Sequence, residues 1–345
     1  WWDDLWLNES FATFMASLAQ QKATRFKNAW VTFATSLKAA ARRQDQLPST
    51  HPIAADIPDI ATCRVSFDDI TYSKGASVLR QLVAWAGEDL FLEGIRNYFR
   101  KHEYGNTELT DFLSSIEETC GRDLHAWSKE WLETAGVNTL RPQLEVEADS
   151  IKKLSIKQEA HSNLPTLRRH RVAVGLYDSD TDGALVRRRR IELDVRDELT
   201  EVSDAAGEKL PELVLVNDDD LTYSKIRLDD RSLQTATEKL RSVKDPLAGA
   251  LLWAAVWDMC RDAELSAREF LKIVLDNIDG EKDIGVIQRL IGQAEEVIVT
   301  YGDPANYLRG MQVLAEAAMQ KLRAAAPGSD LQMTWAKSLI FAART

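Results

Sequence analysis

Histidine is the residue type from which metal and acid–base sites are most often built, and this sequence contains few histidines. The five are His51, His102, His125, His161 and His170. None lies four residues from another, so the helical zinc pattern H-E-x-x-H is absent. The sequence also has no G-x-S-x-G nucleophile turn and no glycine-rich phosphate loop. Motifs within this chain therefore complete no catalytic centre.

The opening segment, residues 1–12, reads W-W-D-D-L-W-L-N-E-S-F-A. It resembles the segment that follows the zinc-binding helix in the aminopeptidase N family of zinc aminopeptidases (gluzincins). There an acidic residue completes an H-E-x-x-H-x18-E zinc site, so the resemblance implies that Glu9 is the third protein ligand of the metal. Only eight residues precede Glu9, and its histidine partners would lie upstream of Trp1. An ordinary glutamate here would instead be a first-turn helix acid that the helix dipole favours.

A second segment, residues 67–80, reads F-D-D-I-T-Y-S-K-G-A-S-V-L-R. It resembles the family's Y-x-K-G-x-x-V-L-R segment, whose tyrosine points its hydroxyl at the scissile carbonyl, so the resemblance implies that Tyr72 is catalytic. A phenol placed there stabilises charge that develops only in the transition state, and losing such a donor typically costs about 3 kcal/mol. The alternative is a half-buried core tyrosine with a satisfied hydroxyl. We expect a structural or surface role for Lys74, and helix capping by Asp68 and Asp69.

A weaker match supports the same family. Residues 127–136, W-S-K-E-W-L-E-T-A-G, resemble the end of the family's catalytic domain. The upstream G-x-M-E-N loop, which holds the substrate's free amine in the family, is absent, as are both histidines and the general-base glutamate. The resemblance implies a parent zinc metallopeptidase that removes single amino acids from the N-termini of peptides. We expect this chain itself to bind no Zn²⁺ and to be inactive, and its substrate-binding residues stay unassigned.

Other residues near these motifs have simpler interpretations. We expect Trp1, Trp2 and Trp6 to pack in the core rather than to contact substrate. His51 is followed by Pro52, which favours a loop residue without a role in the site.

The elements that must position these residues differ in hydrophobic periodicity along the chain. Residues 1–138 read as helical, because apolar residues recur at three- and four-residue spacing. One such helix is predicted from Thr107, with Thr107 or Thr110 as its cap. From Thr139 to about Leu228, apolar and polar residues tend to alternate between turn signals, which indicates a small antiparallel sandwich. The helical pattern then returns, and short connections between its helices favour a bundle or solenoid.

We therefore predict a multidomain, mainly α protein with an antiparallel β-sandwich. The resemblance implies that residues 1–138 are the C-terminal helical part of a thermolysin-like peptidase domain. Residues 139–230 would form the β-sandwich domain, and residues 231–345 the start of an α-helical, solenoid-like C-terminal domain. Asp245-Pro246 predicts the start of one of its helices, because proline is tolerated at the first helical position.

Composition limits the other possibilities. The 345 residues carry 54 acidic and 43 basic side chains, and the net charge of −11 argues against nucleic acid as the main partner. The basic run Arg187–Arg190 is expected to be a solvated strand face. No apolar stretch is long enough to cross a bilayer, and three scattered cysteines favour a reducing, cytoplasmic compartment. Neither end looks like a natural terminus, so we expect an excised piece; its oligomeric state and side-chain specificity stay open.

The alternative is a non-catalytic protein-interaction module built from the β-sandwich and the helical array. It requires the two motif matches to be coincidental. It predicts that Glu9 and Tyr72 do not share a cavity, whereas the peptidase interpretation predicts that they meet.

Overall fold

The computed structural model describes residues 4–343, and its first part is helical, as the periodicity predicts. The helices are α1 (Leu5–Ala23), α2 (Ala29–Thr32), α3 (Lys38–Gln44), α4 (Ile60–Val65), α5 (Gly75–Ala86), α6 (Glu88–Lys101), α7 (Leu109–Cys120) and α8 (His125–Leu132). Two π-helical turns interrupt them: Phe33–Leu37 joins α2 to α3, and Ile70–Lys74 runs directly into α5. A π turn inside a helix is rare and often lies at a functional site.

Helices α1 and α5 form the centre of this part of the molecule. The buried face of α1 consists of Trp6, Ser10, Phe14 and Leu18, spaced by four residues, so these side chains lie along one stripe. Trp6 is 2% exposed, which confirms its packing role, whereas Trp1 and Trp2 lie outside the described residues. Most of α5 is buried, because α1 and α6 both pack against it.

The predicted cap of α7 was wrong. The helix begins after Glu108, whose backbone N–H donates to the Asp111 carboxylate at 2.9 Å. Thr107 is instead hydrogen-bonded to the Tyr98 hydroxyl at 2.6 Å. An acidic pair at the helix start satisfies the free backbone N–H group and complements the helix dipole, which leaves the threonine available for a tertiary contact.

The middle of the chain forms two sheets that share one apolar core. The strands are β1 (Thr139–Glu147), β2 (Ser150–Glu159), β3 (His170–Ser179), β4 (Leu185–Val195), β5 (Leu199–Glu201), β6 (Leu213–Asp218) and β7 (Lys225–Ile226). The sheet orders are β5-β2-β1-β7 and β4-β3-β6. The strand pairs are antiparallel, as predicted, except that β7 pairs parallel to β1 over two residues. No hairpin joins these two strands, so no tight turn fixes their direction.

The arginine run on β4 is held by carboxylates. Each of the four residues from Arg187 to Arg190 pairs with at least one Asp or Glu on a neighbouring strand or loop. Asp218, which pairs with Arg187 at 2.8 Å, also accepts from the Tyr177 hydroxyl. The run is therefore a charge-balanced strand face rather than a free basic patch.

The last part of the described chain is helical again, as predicted. The helices are α9 (Asp230–Lys239), α10 (Pro246–Arg261), α11 (Ala267–Asn277), α12 (Ile284–Glu296), α13 (Tyr307–Ala324) and α14 (Asp330–Ala342). Asp245 caps α10 by accepting from the Leu247 N–H at 2.9 Å, which confirms the Asp-Pro helix start. The apolar face of α10 joins the same core as the two sheets. Among residues 4–343, no helix has both the length and the apolar character that spanning a bilayer requires.

Buried ion pairs connect the first helical part to the rest. Arg42 on α3 pairs with Asp258 on α10 at 2.9 Å, and both side chains are buried. Lys38 pairs with Asp220, in the loop after β6, and burial lowers the pKa of Lys38 to about 8. Arg80 on α5 donates to the Asp219 carbonyl at 2.7 Å. Removing one partner of a buried ion pair is strongly destabilising, because the other charge is left buried without its counter-charge. These contacts therefore hold α3 and α5 in fixed positions against the rest of the molecule.

Candidate active site

Glu9 lies on α1, next to the buried stripe and half-exposed at the surface of the helix. Within the described part of the chain it forms no ion pair. Its carboxylate lies close enough to Tyr72 to raise the pKa of the phenol. The structure therefore brings together the two residues that the sequence singles out. The interaction-module alternative predicts that the two residues share no cavity, and their proximity does not by itself decide between it and the peptidase interpretation.

Tyr72 lies in the π turn Ile70–Lys74. Partial desolvation raises the pKa of its phenol, and the hydrogen bond and negative charge of Glu9 raise it further. Its ring packs beside that of Phe67, with the centroids 6.4 Å apart. The phenol therefore stays protonated near neutral pH, which is the state in which it can donate a hydrogen bond.

Asp68 starts this turn. One of its carboxylate oxygens accepts from the backbone N–H groups of Ile70 and Thr71, both at 3.0 Å, which confirms the predicted capping role. Asp69 makes no side-chain cap, so the prediction for that residue was wrong. Only one of two adjacent carboxylates can point along the axis of the turn, and here it is the first.

His51 holds the Asp68 side chain. Its Nε2 lies 2.9 Å from the Asp68 carboxylate, and its Nδ1 lies 2.7 Å from the carbonyl of Pro52. The bond to Asp68 raises the pKa of His51, against an opposing effect of partial burial. His51 lies in a loop, as expected, but it also supports the residue that caps the turn of Tyr72, a role that the sequence did not reveal.

Lys74 anchors the other end of the turn. Its ammonium lies 2.9 Å from the Asp45 carboxylate, and neither side chain has any exposed surface. Asp45 also accepts from the Gly136 N–H at 2.9 Å and from the Thr50 hydroxyl at 2.6 Å. Burial lowers the pKa of Lys74 to about 8, although Asp45 opposes that effect. Lys74 is thus structural, as predicted. Its pair with Asp45 links the segment of residues 67–80 to Gly136, at the end of the segment of residues 127–136.

Ser10 connects the two motifs directly. Its hydroxyl, which is fully buried, donates to the carbonyl of Thr71 at 2.6 Å. Ser10 follows Glu9 in the chain, and Thr71 precedes Tyr72. The bond therefore joins the backbone of the π turn to α1 one residue away from each candidate site residue.

A groove of about 560 Å³ runs along the neighbouring face of α1. Leu7, Phe11, Phe99 and Thr107 are among the residues that line it, whereas neither Glu9 nor Tyr72 does. Of the other histidines, His170 is buried in the sandwich, where its Nδ1 lies 2.8 Å from the Thr222 hydroxyl. The candidate site is thus a pair of groups on the surface where α1 meets the π turn.

Two family models match the chain: the Peptidase family M1 domain over residues 1–131 and the ERAP1-like C-terminal domain over residues 213–345. Over the whole chain, 50% of residues are identical to aminopeptidase N of Streptomyces lividans. The chain belongs to the aminopeptidase N family. It is also 39% identical over 162 residues to a leucyl aminopeptidase of Saccharolobus solfataricus, across 47% of this chain and 20% of that protein. The tricorn protease-interacting factor F2 of Thermoplasma acidophilum is 40% identical over 139 residues, 39% of this chain and 17% of that protein.

The chain spans 41% of the length of the Streptomyces protein and a smaller share of the other two relatives. Enzymes of the aminopeptidase N family use a catalytic zinc ion. Such a site has three protein ligands and an open position. Glu9 fits as one oxygen ligand because its carboxylate is partly exposed and free of an ion pair. Within residues 4–343, however, no group of three or more His, Cys, Asp or Glu side chains could hold a metal ion.

Proposed function

We propose that this chain contributes Glu9 and Tyr72 to the active site of a zinc-dependent aminopeptidase that releases amino acids from the N-termini of peptides. The observation that carries the proposal is the proximity of the two groups, which come from separate helical segments: Ser10 and Thr71, the neighbours of Glu9 and Tyr72, are hydrogen-bonded at 2.6 Å, and Glu9 raises the pKa of Tyr72. Membership of the family supports a peptidase. The names of the relatives, aminopeptidase N and leucyl aminopeptidase, support the aminopeptidase class.

The proposed roles follow from the chemistry of the two side chains. Zinc, when bound, polarises the scissile carbonyl and activates a water molecule. Glu9 is the carboxylate that would hold the metal from this chain. Tyr72, whose phenol is protonated at neutral pH, donates a hydrogen bond to the oxygen on which negative charge develops in the transition state. The π turn and its anchors hold that hydroxyl in place before substrate arrives, which avoids the cost of ordering it during the reaction.

We also propose that the chain alone is inactive, because it lacks the other zinc ligands. Because the described residues provide one candidate ligand and the sequence has no H-E-x-x-H, the 345-residue chain alone should bind no zinc tightly and should hydrolyse no peptide. We further propose the domain limits 1–138, 139–230 and 231–345.

A cytoplasmic location is also proposed, because all three cysteines are free thiols.

The experiment that tests this function supplies the ligands that the chain lacks. In the family, the H-E-x-x-H motif lies upstream of the segment that matches residues 1–12. A chimera is made by joining the part of the Streptomyces lividans aminopeptidase N that precedes the aligned region to this chain. With 50% identity over the whole chain, the junction surfaces are expected to be compatible.

The chimera should hydrolyse leucine p-nitroanilide in a zinc-dependent manner, and the 345-residue chain alone should not, with or without added zinc. Hydrolysis by the chain alone would overturn the proposed incompleteness of its site. A folded chimera that binds zinc but does not hydrolyse the substrate would overturn the proposed activity.

A further inference from the structure

Ser10 and Gly75 meet where α1 crosses the turn that carries Tyr72. The roles of zinc ligand and oxyanion donor use neither of them. Ser10 is fully buried and gives its hydroxyl hydrogen to the Thr71 carbonyl at 2.6 Å. Gly75 is the first residue of α5 and follows the π turn directly. The two residues therefore lie between the helix that carries Glu9 and the turn that carries Tyr72.

Gly75 is required by this contact and not by its backbone. Its φ of −60° and ψ of −42° are ordinary helical values, which any residue adopts. A Cβ atom added there would lie 1.9 Å from the Ser10 Oγ and 2.9 Å from the Ser10 Cβ, far inside contact distance. Alanine is the better helix former, so glycine at this position is explained by the close approach of α1.

Two further supports of the turn, at its start and at its end, do not involve α1. Asp68 caps its start, and Lys74 fixes its end to Asp45. These contacts place the turn relative to α3 and the 45–51 loop, but they leave its distance from Glu9 unspecified. The hydrogen bond from Ser10 to the Thr71 carbonyl joins the turn directly to the helix that carries Glu9.

We propose that Ser10 and Gly75 are positioning residues. The hydrogen bond from Ser10 to Thr71, together with the contact across Gly75, fixes the separation and register between the Glu9 carboxylate and the Tyr72 hydroxyl. The catalytic consequence rests on the proposed function, whereas the geometric claim does not. For this reason the test has one arm that measures structure and another that measures turnover.

Four variants separate the hydrogen bond from the packing contact, with Ser10→Gly alone as the reference for the double variant. Ser10→Ala removes the hydroxyl and keeps the Cβ. Gly75→Ala adds a methyl group that forces α1 away from the turn. The double variant Ser10→Gly, Gly75→Ala removes both serine atoms with which the new methyl would clash. The next atom, the Ile53 Cγ2, lies at an acceptable 3.5 Å from the added Cβ.

In the structural arm, crystal structures of the 345-residue chain give the distance from the Glu9 carboxylate to the Tyr72 hydroxyl. Gly75→Ala should lengthen this distance, and the double variant should return it to the distance found in Ser10→Gly alone. An unchanged distance in Gly75→Ala, or a double variant with the same lengthened distance as Gly75→Ala, would overturn the proposal. This result does not depend on catalysis, so it stands apart from any failure of the proposed function.

In the catalytic arm, kcat and KM are measured on the chimera. Gly75→Ala should lower kcat on the order of a hundredfold with KM little changed, because a misplacement of about 1 Å costs that much. Ser10→Ala should lower kcat by roughly tenfold, and the double variant should return to the activity of Ser10→Gly alone. Equal losses in the double variant and in Gly75→Ala would contradict a role for the contact.

Two controls distinguish positioning from a general loss of stability. Gly94 faces the backbone of α7, where an added Cβ would lie 2.9 Å from the Ser115 carbonyl oxygen. Gly94→Ala should therefore lower the melting temperature without changing kcat below that temperature. If Ser10 acts through Tyr72, Ser10→Ala should also have much less effect in a Tyr72→Phe background. Additive losses would show that Ser10 acts elsewhere and would overturn the proposal.

Discussion

The Glu9 carboxylate lies close enough to Tyr72 to raise the pKa of its phenol, although Glu9 belongs to α1 and Tyr72 to a π turn before α5. The backbones that carry them are joined one residue away, through the bond from Ser10 to Thr71. The two most specific motifs of the sequence therefore converge on one surface. The following predictions test what each part of this surface contributes.

Glu9 should contribute to zinc binding in the chimera. Glu9→Gln removes the anionic oxygen and should weaken zinc binding by more than about a hundredfold, since even the loss of a residue that only supports a ligand typically costs 10–100-fold. Competition with a chelating dye gives the affinity. Glu103→Gln, at an exposed position on the same part of the chain, should leave it unchanged. Equal zinc affinity in the Glu9 variant and its control would exclude Glu9 as a ligand.

The buried pair of Lys74 and Asp45 should be a major source of stability for the turn. Lys74→Met leaves the Asp45 carboxylate buried without its cation, and the free energy of unfolding should fall by about 3–5 kcal/mol. Lys22→Met breaks an exposed pair with Glu88 and should cost less than about 1 kcal/mol. Urea unfolding of the 345-residue chain measures both, and similar small losses would mean that the buried pair does not stabilise the turn.

His51 should make stability depend on pH. Its pKa is raised in the folded state by the bond to Asp68, so the stabilisation is fully present below the unfolded-state pKa of about 6.5. It is lost as pH rises through the higher folded-state pKa. The free energy of unfolding should therefore decline across this interval in the natural sequence and should not decline there in His51→Gln. His125→Gln, at an exposed position, should retain the decline; the same pH profile in all three proteins would contradict this assignment.

Local patterns predicted the helices well, because their signals lie within a few residues. The start of α10 at Asp245-Pro246 is an example, since the side chain that caps the helix is adjacent to it. The capping role of Asp68 was equally local. The cap of α7 was missed because Glu108 competes with Thr107, and the tertiary bond from Thr107 to Tyr98 decides between them.

The supports of the candidate site could not be predicted in this way. Asp45 lies in a polar stretch with no motif, and its importance arises only because folding brings Lys74 and Gly136 to it. The bond between His51 and Asp68 likewise joins two separate loops. Ser10 lies inside the first motif, residues 1–12. Its buried hydroxyl and its close contact with Gly75, however, depend on how α1 crosses the turn.

The most direct test of the account is the kcat of the chimera with Tyr72→Phe, measured with leucine p-nitroanilide. Tyr104→Phe serves as the control because Tyr104 is fully exposed. The account predicts a fall in kcat on the order of 10²–10³ for Tyr72→Phe, with zinc affinity unchanged and the control at full activity, since one oxyanion donor is lost. Full activity in Tyr72→Phe would contradict the central claim that Glu9 and Tyr72 belong to one active site.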